Sequence, residues 1–183
     1  MNTIYTIGYT GLKLSDLTVW MDAHNATLVD TRLNAYSPNP DWKKGSLQRV
    51  FSDSYRHVQA LGNINYKGGG DIALKDVEAG VEIVRQLLEV TPVVLLCTCA
   101  DVDKCHRKVA ADAIAAATGA QVVHLTPNKL KLDILAADAA NALTPPADWD
   151  APGAQVHADD VQPGLPGFGA PDKLLPLSQL KLL

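Results

Sequence analysis

The stretch TPVVLLCT, residues 91–98, constrains the fold of this chain more than any other. It is a continuous apolar run entered through Pro92, with no alternation of polar and apolar positions. A strand that buries one face alternates. One that is apolar throughout is buried on both faces, as in the centre of a parallel sheet covered by helices. Its neighbours agree. DVEAGVEIVRQLLE (76–89) sets Val77, Val81, Val84 and Leu88 on one helical face, with Asp76 placed to cap it. CHRKVAADAIAAATG (105–119) is alanine-rich, stops at Gly119 and reads as a second helix.

The rest of the chain repeats the alternation of strand and helix. TIYTIGY (3–9) predicts a first strand, and SDLTVWMDAHN (15–25) a helix with Ser15 as N-cap and Leu17, Trp20 and Met21 turned inward. ATLVDTR (26–32) predicts a second strand that leaves Asp30 and Arg32 at its C-terminal end. LNAYSPNPDWKKGS (33–46) is turn-rich and predicts an open loop, followed by a short helix at SLQRVF and a short strand near YRHVQ (55–59). AQVVHL (120–125) and NKLKLDILAADAANA (128–142) predict the last strand and helix. The expected fold class is therefore α/β: a Rossmann-like open, mainly parallel sheet with helices on both faces, in one domain over residues 1–142. From Leu143 the composition changes to an irregular Pro/Gly-rich extension, 143–183. Its end, DKLLPLSQLKLL, is apolar enough to dock on the domain or on a second subunit, which makes a homodimer through the tail an expectation.

Composition narrows the function classes. A formal net charge of −4 leaves no global basic field for sequence-independent nucleic-acid binding, although a local basic groove is compatible with it. MNTIYTIGYTG has no basic leader region, and no stretch reaches the roughly 18 apolar residues of a membrane span, so a cytoplasmic protein without membrane contact is expected. In that compartment thiols stay reduced. All three cysteines fall within LLCTCADVDKCHR (95–107), and such a cluster points to chemistry or metal rather than a disulfide.

Ligands of open α/β sheets bind beyond the carboxyl ends of the strands. That rule selects Gly8, Tyr9 and Thr10 after the first strand, Asp30 and Arg32 after the second, and Cys97 to Arg107 after the central one. Cys105 stands at a predicted helix start, where free backbone N–H groups and the helix dipole favour a thiolate, with His106 and Arg107 adjoining. Four readings are open. Cys105 is a reactive thiolate; or the corner binds phosphate or carboxylate without thiol chemistry, with Arg107 as a bidentate clamp; or C-x-C-x5-C-H offers three sulfurs and an imidazole to zinc, or less completely to an iron–sulfur cluster; or the cysteines are small buried hydrophobes.

YTIGYTG, LVDTR followed by SP, YRHVQALGN and LLCTCADVDKCHR together resemble the successive motifs of domain-of-unknown-function family 488, in the family's order, over roughly residues 3–125. The resemblance implies an α/β fold with no firmly established activity. It makes Gly8, Asp30, Arg32, Ser37, Tyr55, His57, Leu61, Gly62, Cys97, Cys105, His106 and Arg107 the motif positions. This chain departs from the family pattern in two places. Thr31 stands where valine is usual, and Cys99 where an acidic residue is expected, so that a carboxylate there would be missing unless Asp101 or Asp103 replaces it. A weaker likeness to sulfurtransferases and cysteine phosphatases fails on spacing, because too many residues separate Cys97 or Cys99 from Arg107.

The leading expectation is an enzyme that uses no cofactor. Cys105 supplies the thiolate, His57 or His106 carries the proton, and Asp30 stands with them among the catalytic groups. Arg32 and Arg107 hold a phosphorylated, nucleotide or nucleic-acid substrate, and Gly8, Tyr9, Thr10, Ser37, Tyr55 and Cys97 complete the binding surface. Tyr9, Tyr36 or Tyr55 is available to stack a base. The alternatives are a non-catalytic module for a phosphorylated ligand or DNA, and a zinc or iron–sulfur protein.

Overall fold

The computed structural model describes residues 2–68 and 70–142. The expectations for the extension at 143–183, a tail docked on the domain or joining two subunits, lie outside the described residues. Five strands form one sheet: β1 (Ile4–Gly8), β2 (Thr27–Asp30), β3 (Tyr55–His57), β4 (Val93–Cys97) and β5 (Val122–His124). The order is β3-β2-β4-β1-β5, and every pairing is parallel. The helices are α1 (Leu14–His24), α2 (Lys44–Phe51), α3 (Val77–Leu88), α4 (His106–Thr118) and α5 (Pro127–Ala142). This is the α/β Rossmann-like architecture expected from the apolar run at 91–98.

Alternation along the strands sorts the core into two layers. Ile7, Leu28, Val94 and Leu96 pack with Leu17, Trp20 and Met21 of α1, Leu47 and Phe51 of α2, and Leu130 of α5. Ile4, Val29, Val93 and Leu95 face the other way, onto Val84 and Leu88 of α3 and Ala110, Ala111 and Ile114 of α4. All five β4 residues are buried, as a strand covered on both faces must be. The small alanines of α4 let that helix lie close to the sheet.

Several local expectations need correction. Ser15 does not cap α1. The helix begins at Leu14, its N-cap position is Lys13, and no side chain bonds there. Asp76 does cap α3, accepting from the Ala79 N–H. On α3, Val84 and Leu88 are buried and Val81 packs against them, whereas Val77 in the first turn is 40% exposed. The segment 33–46 is not an open loop. Asn39 caps a 3₁₀ turn at Pro40–Trp42, and Trp42 is buried with its ring stacked on Tyr9 at 4.7 Å and 7°. A turn-rich composition marks where the chain bends but not which of its aromatic groups finds a partner in the core.

Strand order determines where a ligand can enter. The chain leaving β2 runs outward to β3, while that leaving β4 runs the other way, to β5. Loops after these neighbouring strands diverge and open a crevice at their carboxyl ends. Asp30 and Leu96 are register partners there, and Gly8 pairs with Cys97 on the other side of β4.

The cap assignment is testable. Asp76→Ala is expected to lower unfolding free energy by about 1 kcal/mol, and Ser15→Ala to stay within about 0.5 kcal/mol of the parent, both measured by urea denaturation.

Candidate functional site

The crevice is a cleft of about 380 Å³. Its walls are the segment after β2, from Arg32 to Tyr36, the loop carrying Asn63, Tyr66 and Ile72, and the stretch from Cys97 to His106. Of the residues singled out from sequence, Arg32, Tyr36, Cys97, Cys99 and His106 line it.

The cysteines converge. The Sγ atoms of Cys97, Cys99 and Cys105 all lie within 4.8 Å of one another, and those of Cys97 and Cys99 are 4.0 Å apart. Cys97 is the last residue of β4, and the chain beyond it stays open enough for Cys99 to turn its sulfur the same way. Cys105 occupies the N-cap position of α4, but its side chain makes no cap hydrogen bond. It turns toward the other sulfurs and is 1% exposed. An open thiolate at the helix start, the premise of the leading expectation, is therefore corrected: Cys105 is sealed, and Cys99 is the partly exposed member that lines the cleft.

The three thiols divide their protons unequally. Hydrogen bonds from Cys105 and Cys97, followed by the positive charges of His106 and Arg107, hold Cys99 far below the ordinary thiol range in spite of its burial. Competition from Cys97 and Cys99, together with burial, pushes Cys105 up. Cys97 is drawn down by Cys105, but the bond to Cys99 and burial outweigh this and raise it to about 11. The cluster thus takes its first negative charge on Cys99.

His106 completes the corner. Its Nε2 is 3.0 Å from the Thr31 carbonyl oxygen and 3.2 Å from Thr31 Oγ1, while the Thr31 hydroxyl donates to the Leu96 carbonyl. A carbonyl cannot donate, so Nε2 carries a hydrogen, and Nδ1, 3.6 Å from Cys97 Sγ, offers a lone pair when the ring is neutral. Burial opposes a charge on this ring, but Cys105 and the Thr31 carbonyl hold its pKa above the ordinary imidazole value. In the sequence Thr31 stands out only as a departure from the family pattern. It orients the histidine.

Arg107 does not clamp a ligand. It is 1% exposed, and it donates from Nη1 to the Cys99 carbonyl and from Nη2 to the Ala100 carbonyl, at 3.1 Å, while Nε has no partner. Its guanidinium holds the backbone of the cysteine loop against β1. Gly8 makes the space: a Cβ there would stand 1.7 Å from the Cys99 carbonyl oxygen and 3.0 Å from Arg107 Nη1. Gly8 is thus a packing requirement beneath the loop and not a surface for substrate. Thr10 pins the same loop, its hydroxyl donating to the Thr98 carbonyl at 2.6 Å.

The Asp30 and Arg32 expectations change for a similar reason. Asp30 is fully buried, and its carboxylate accepts from Arg32 Nε at 2.8 Å, Arg32 Nη2 at 2.6 Å and the Tyr55 hydroxyl at 2.9 Å. Arg32 Nη1 donates to the Trp42 carbonyl at 2.9 Å, with the Tyr36 carbonyl and Tyr9 hydroxyl also in reach. Four of the five guanidinium hydrogens are therefore committed within the protein. Burial and Asp30 together raise the Tyr55 pKa, so this residue stays a hydrogen-bond donor. Tyr9 and Tyr55 are buried and cannot stack a base. Ser37 is buried and accepts from the Asn39 N–H. His57 does not line the cleft, and its Nε2 donates to the Arg32 carbonyl at 2.8 Å.

The cleft also holds residues that the sequence gave no reason to choose. Asn34 and Tyr66 come from loops with neither periodicity nor motif spacing, and Asn63 and Lys104 lie within motif stretches without being motif positions themselves. Cys99 was expected as one of three sulfurs open to a metal and as a departure from a family pattern, but not as the thiol that faces the cleft. Comparison of the chain with protein-family models, with curated proteins and with solved structures returns no match.

Three thiols in one corner can hold a soft metal ion, and His106 Nδ1 lies within 3.6 Å of one of them as a candidate fourth donor. Tetrahedral zinc, with bonds of about 2.3 Å to sulfur and 2.0 Å to nitrogen, sets its donors about 3.8 Å apart for two sulfurs and about 3.5 Å for sulfur and nitrogen. The distances of 4.0 Å from Cys97 to Cys99 and 3.6 Å from Cys97 to His106 Nδ1 fit that shape. An iron–sulfur cluster fits less well, because it takes four thiolates on separate irons and the chain has three cysteines.

Two substitutions separate scaffold from chemistry. Asp30→Ala leaves the Arg32 charge buried without its partner and is expected to cost about 3–5 kcal/mol in denaturant unfolding, the mark of a structural ion pair. Gly8→Ala is expected to cost about 1–3 kcal/mol and to displace the cysteine loop, read as faster reaction of Cys97 and Cys105 with a thiol reagent.

Proposed function

We propose that Cys97, Cys99, Cys105 and His106 hold one thiophilic metal ion of the zinc class at the floor of the cleft. The observation that carries this reading is the convergence of three sulfurs within 4.8 Å, with His106 Nδ1 3.6 Å from that of Cys97. The Thr31 carbonyl acts as the outer partner that holds a ligating imidazole in one tautomer. A metal supplies positive charge that lets all three thiols ionise together. Without it only one of them gives up its proton readily, because each further negative charge is opposed by the first.

The chain's own residues set the character of such a centre. Cys97 and Cys105 are sealed from water, Arg107 and Gly8 fix the loop between them, and Cys99 faces the cleft. Four protein donors would fill a tetrahedral ion, so the centre would order the cleft floor. The motif sequence also leads us to propose membership of family 488, with Cys99 as this chain's particular addition. Among the described residues no helix is long and apolar enough to cross a membrane, and the reduced state of the three cysteines suits a cytoplasmic setting.

A second reading rests on the exposure of Cys99. Here the cluster binds no metal, and Cys99 takes the nucleophilic role first expected of Cys105, acting on an anionic ligand in the cleft, with His106 moving the proton. That reading predicts that the chain as isolated is labelled by an electrophile at Cys99 far faster than at Cys97 or Cys105 near pH 6 to 7. Uniformly slow labelling removes it.

The metal reading is tested by elemental analysis of the purified full chain, expected at about one metal equivalent. Cobalt(II) titration is expected to give thiolate charge-transfer absorption that Cys99→Ser weakens and His106→Ala shifts. Zinc at about a hundred times its dissociation constant should add about 2.7 kcal/mol of stability, and chelation should remove it. A metal-free chain whose melting temperature ignores added zinc overturns the proposal.

A further inference from the structure

The mouth of the cleft carries aromatic and basic groups that the sulfur cluster does not explain. Tyr36 is 69% exposed on one wall and Tyr66 is 50% exposed on another. Exposed tyrosines facing one opening are an unfavourable use of apolar surface unless something covers them. Each ring has a lysine above it: Lys43 Nζ lies 5.8 Å from the Tyr36 centroid and Lys67 Nζ lies 5.6 Å from that of Tyr66. Lys104 adds a third ammonium on the wall. Among the described residues no carboxylate lines the cleft, and the nearest to Lys104 is the exposed Asp101, 3.8 Å from its Nζ. The lysines therefore present their charge to the opening from exposed positions, where an incoming anion can compete for Lys104.

The rings are also held in place. Asn34 Nδ2 donates to the Tyr66 hydroxyl at 2.9 Å, tying the loop that carries Tyr66 to the segment after β2. Asn63 uses Oδ1 to accept from the N–H groups of Asn65 and Ala73, which leaves its Nδ2 as a donor on the cleft wall. Flat π faces, amide groups that can read a polar ring edge, and ammonium groups at the rim together match a planar heterocycle joined to an anion. A volume of about 380 Å³ accommodates one such unit.

We infer that the cleft binds one nucleotide unit, its base against the Tyr36 and Tyr66 rings and its phosphate toward Lys104, with Lys43 and Lys67 at the rim. The base does not meet Tyr9 or Tyr55, which are sealed, and the phosphate does not meet Arg107, which is committed to the cysteine loop. The inference is independent of what the sulfurs hold. The unit can be a free mononucleotide or one residue of a single strand, and the same chemistry recognises both.

The test is calorimetric titration of the full chain with adenosine 5′-monophosphate, ribose 5-phosphate and inorganic phosphate, beside anisotropy of a fluorescent single-stranded oligodeoxynucleotide. Adenosine monophosphate is expected to bind about 5- to 150-fold more tightly than ribose 5-phosphate, the factor that stacking of one base supplies. Tyr36→Ala and Tyr66→Ala should remove that advantage while leaving ribose 5-phosphate binding and the metal content unchanged, and Tyr66→Phe should retain most of it. Lys104→Ala should weaken every phosphate-bearing probe and lower the salt slope by about one. Binding of the oligonucleotide alone, with the same dependence on the tyrosines, supports a strand as the source of the unit. Adenosine monophosphate binding no tighter than ribose 5-phosphate, together with an oligonucleotide indifferent to both tyrosine substitutions, overturns the inference. Because the metal content is read on the same samples, loss of the metal reading and loss of the nucleotide reading are told apart.

Discussion

The rest of the cleft depends on one buried ion pair. Asp30, the last residue of β2, and Arg32, two residues beyond it, are each shielded from water. A charge left unpaired at such depth is strongly unfavourable, so the two side chains must find each other and must also satisfy their remaining donors and acceptors. They do so by reaching outward: to Tyr55 at the start of β3, to Tyr9 after β1, and to the carbonyls of Tyr36 and Trp42 in the connection to α2. Four separate stretches of chain are tied to one point. The segment that a sequence reader would leave as an open loop acquires a fixed wall, and Tyr36 is presented at the cleft mouth because its own carbonyl is held beneath it. A hydrophobic pair of the same volume could stabilise the domain as well, but it would not specify the directions of these contacts.

A second constraint is steric. The cysteine loop crosses β1 at a distance that only Gly8 permits, and Arg107 grips its carbonyls from the first turn of α4. With the loop pressed down in this way, the sulfur of Cys105 is carried inside and that of Cys99 is left at the surface of the cleft. The unequal acidity of the three thiols follows from this placement: the most exposed one, near two cationic side chains, takes the charge, and the two sealed ones keep their protons. The arginines thus work as structural members. The cationic character of the opening comes instead from lysines on flexible stems, which cost little to keep in water.

Much of this was legible in the sequence because it depends on periodicity. The strand at 91–98 announced itself as doubly buried, the helix after it by alanine and a glycine stop, and the sheet by the repeated alternation of the two; these are properties of a residue and its near neighbours. The carboxyl-end rule pointed to the end of the sheet at which the cleft opens. What it could not supply was the direction of each side chain. Arg32 and Arg107 are the residue type that suits a phosphate, and the sequence cannot tell a guanidinium that faces a ligand from one already bonded to backbone carbonyls. Ser15 has the chemistry of a cap but stands one residue inside its helix, whereas Asp76 has the same chemistry and the right position.

The amino-acid sequence by itself therefore determined the class of fold and the clustering of the sulfurs along the chain, and pointed to the carboxyl end of the sheet as the place for a site, since all three follow from local periodicity, residue spacing or the alternation of strand and helix. Tertiary structure alone decided which thiol faces water, why Thr31 matters, which tyrosines are free to stack and where the arginines point. Those outcomes depend on contacts between residues as far apart as Gly8 and Cys99 or Thr31 and His106, and such contacts are settled by packing, burial and the pairing of polar groups across the whole domain.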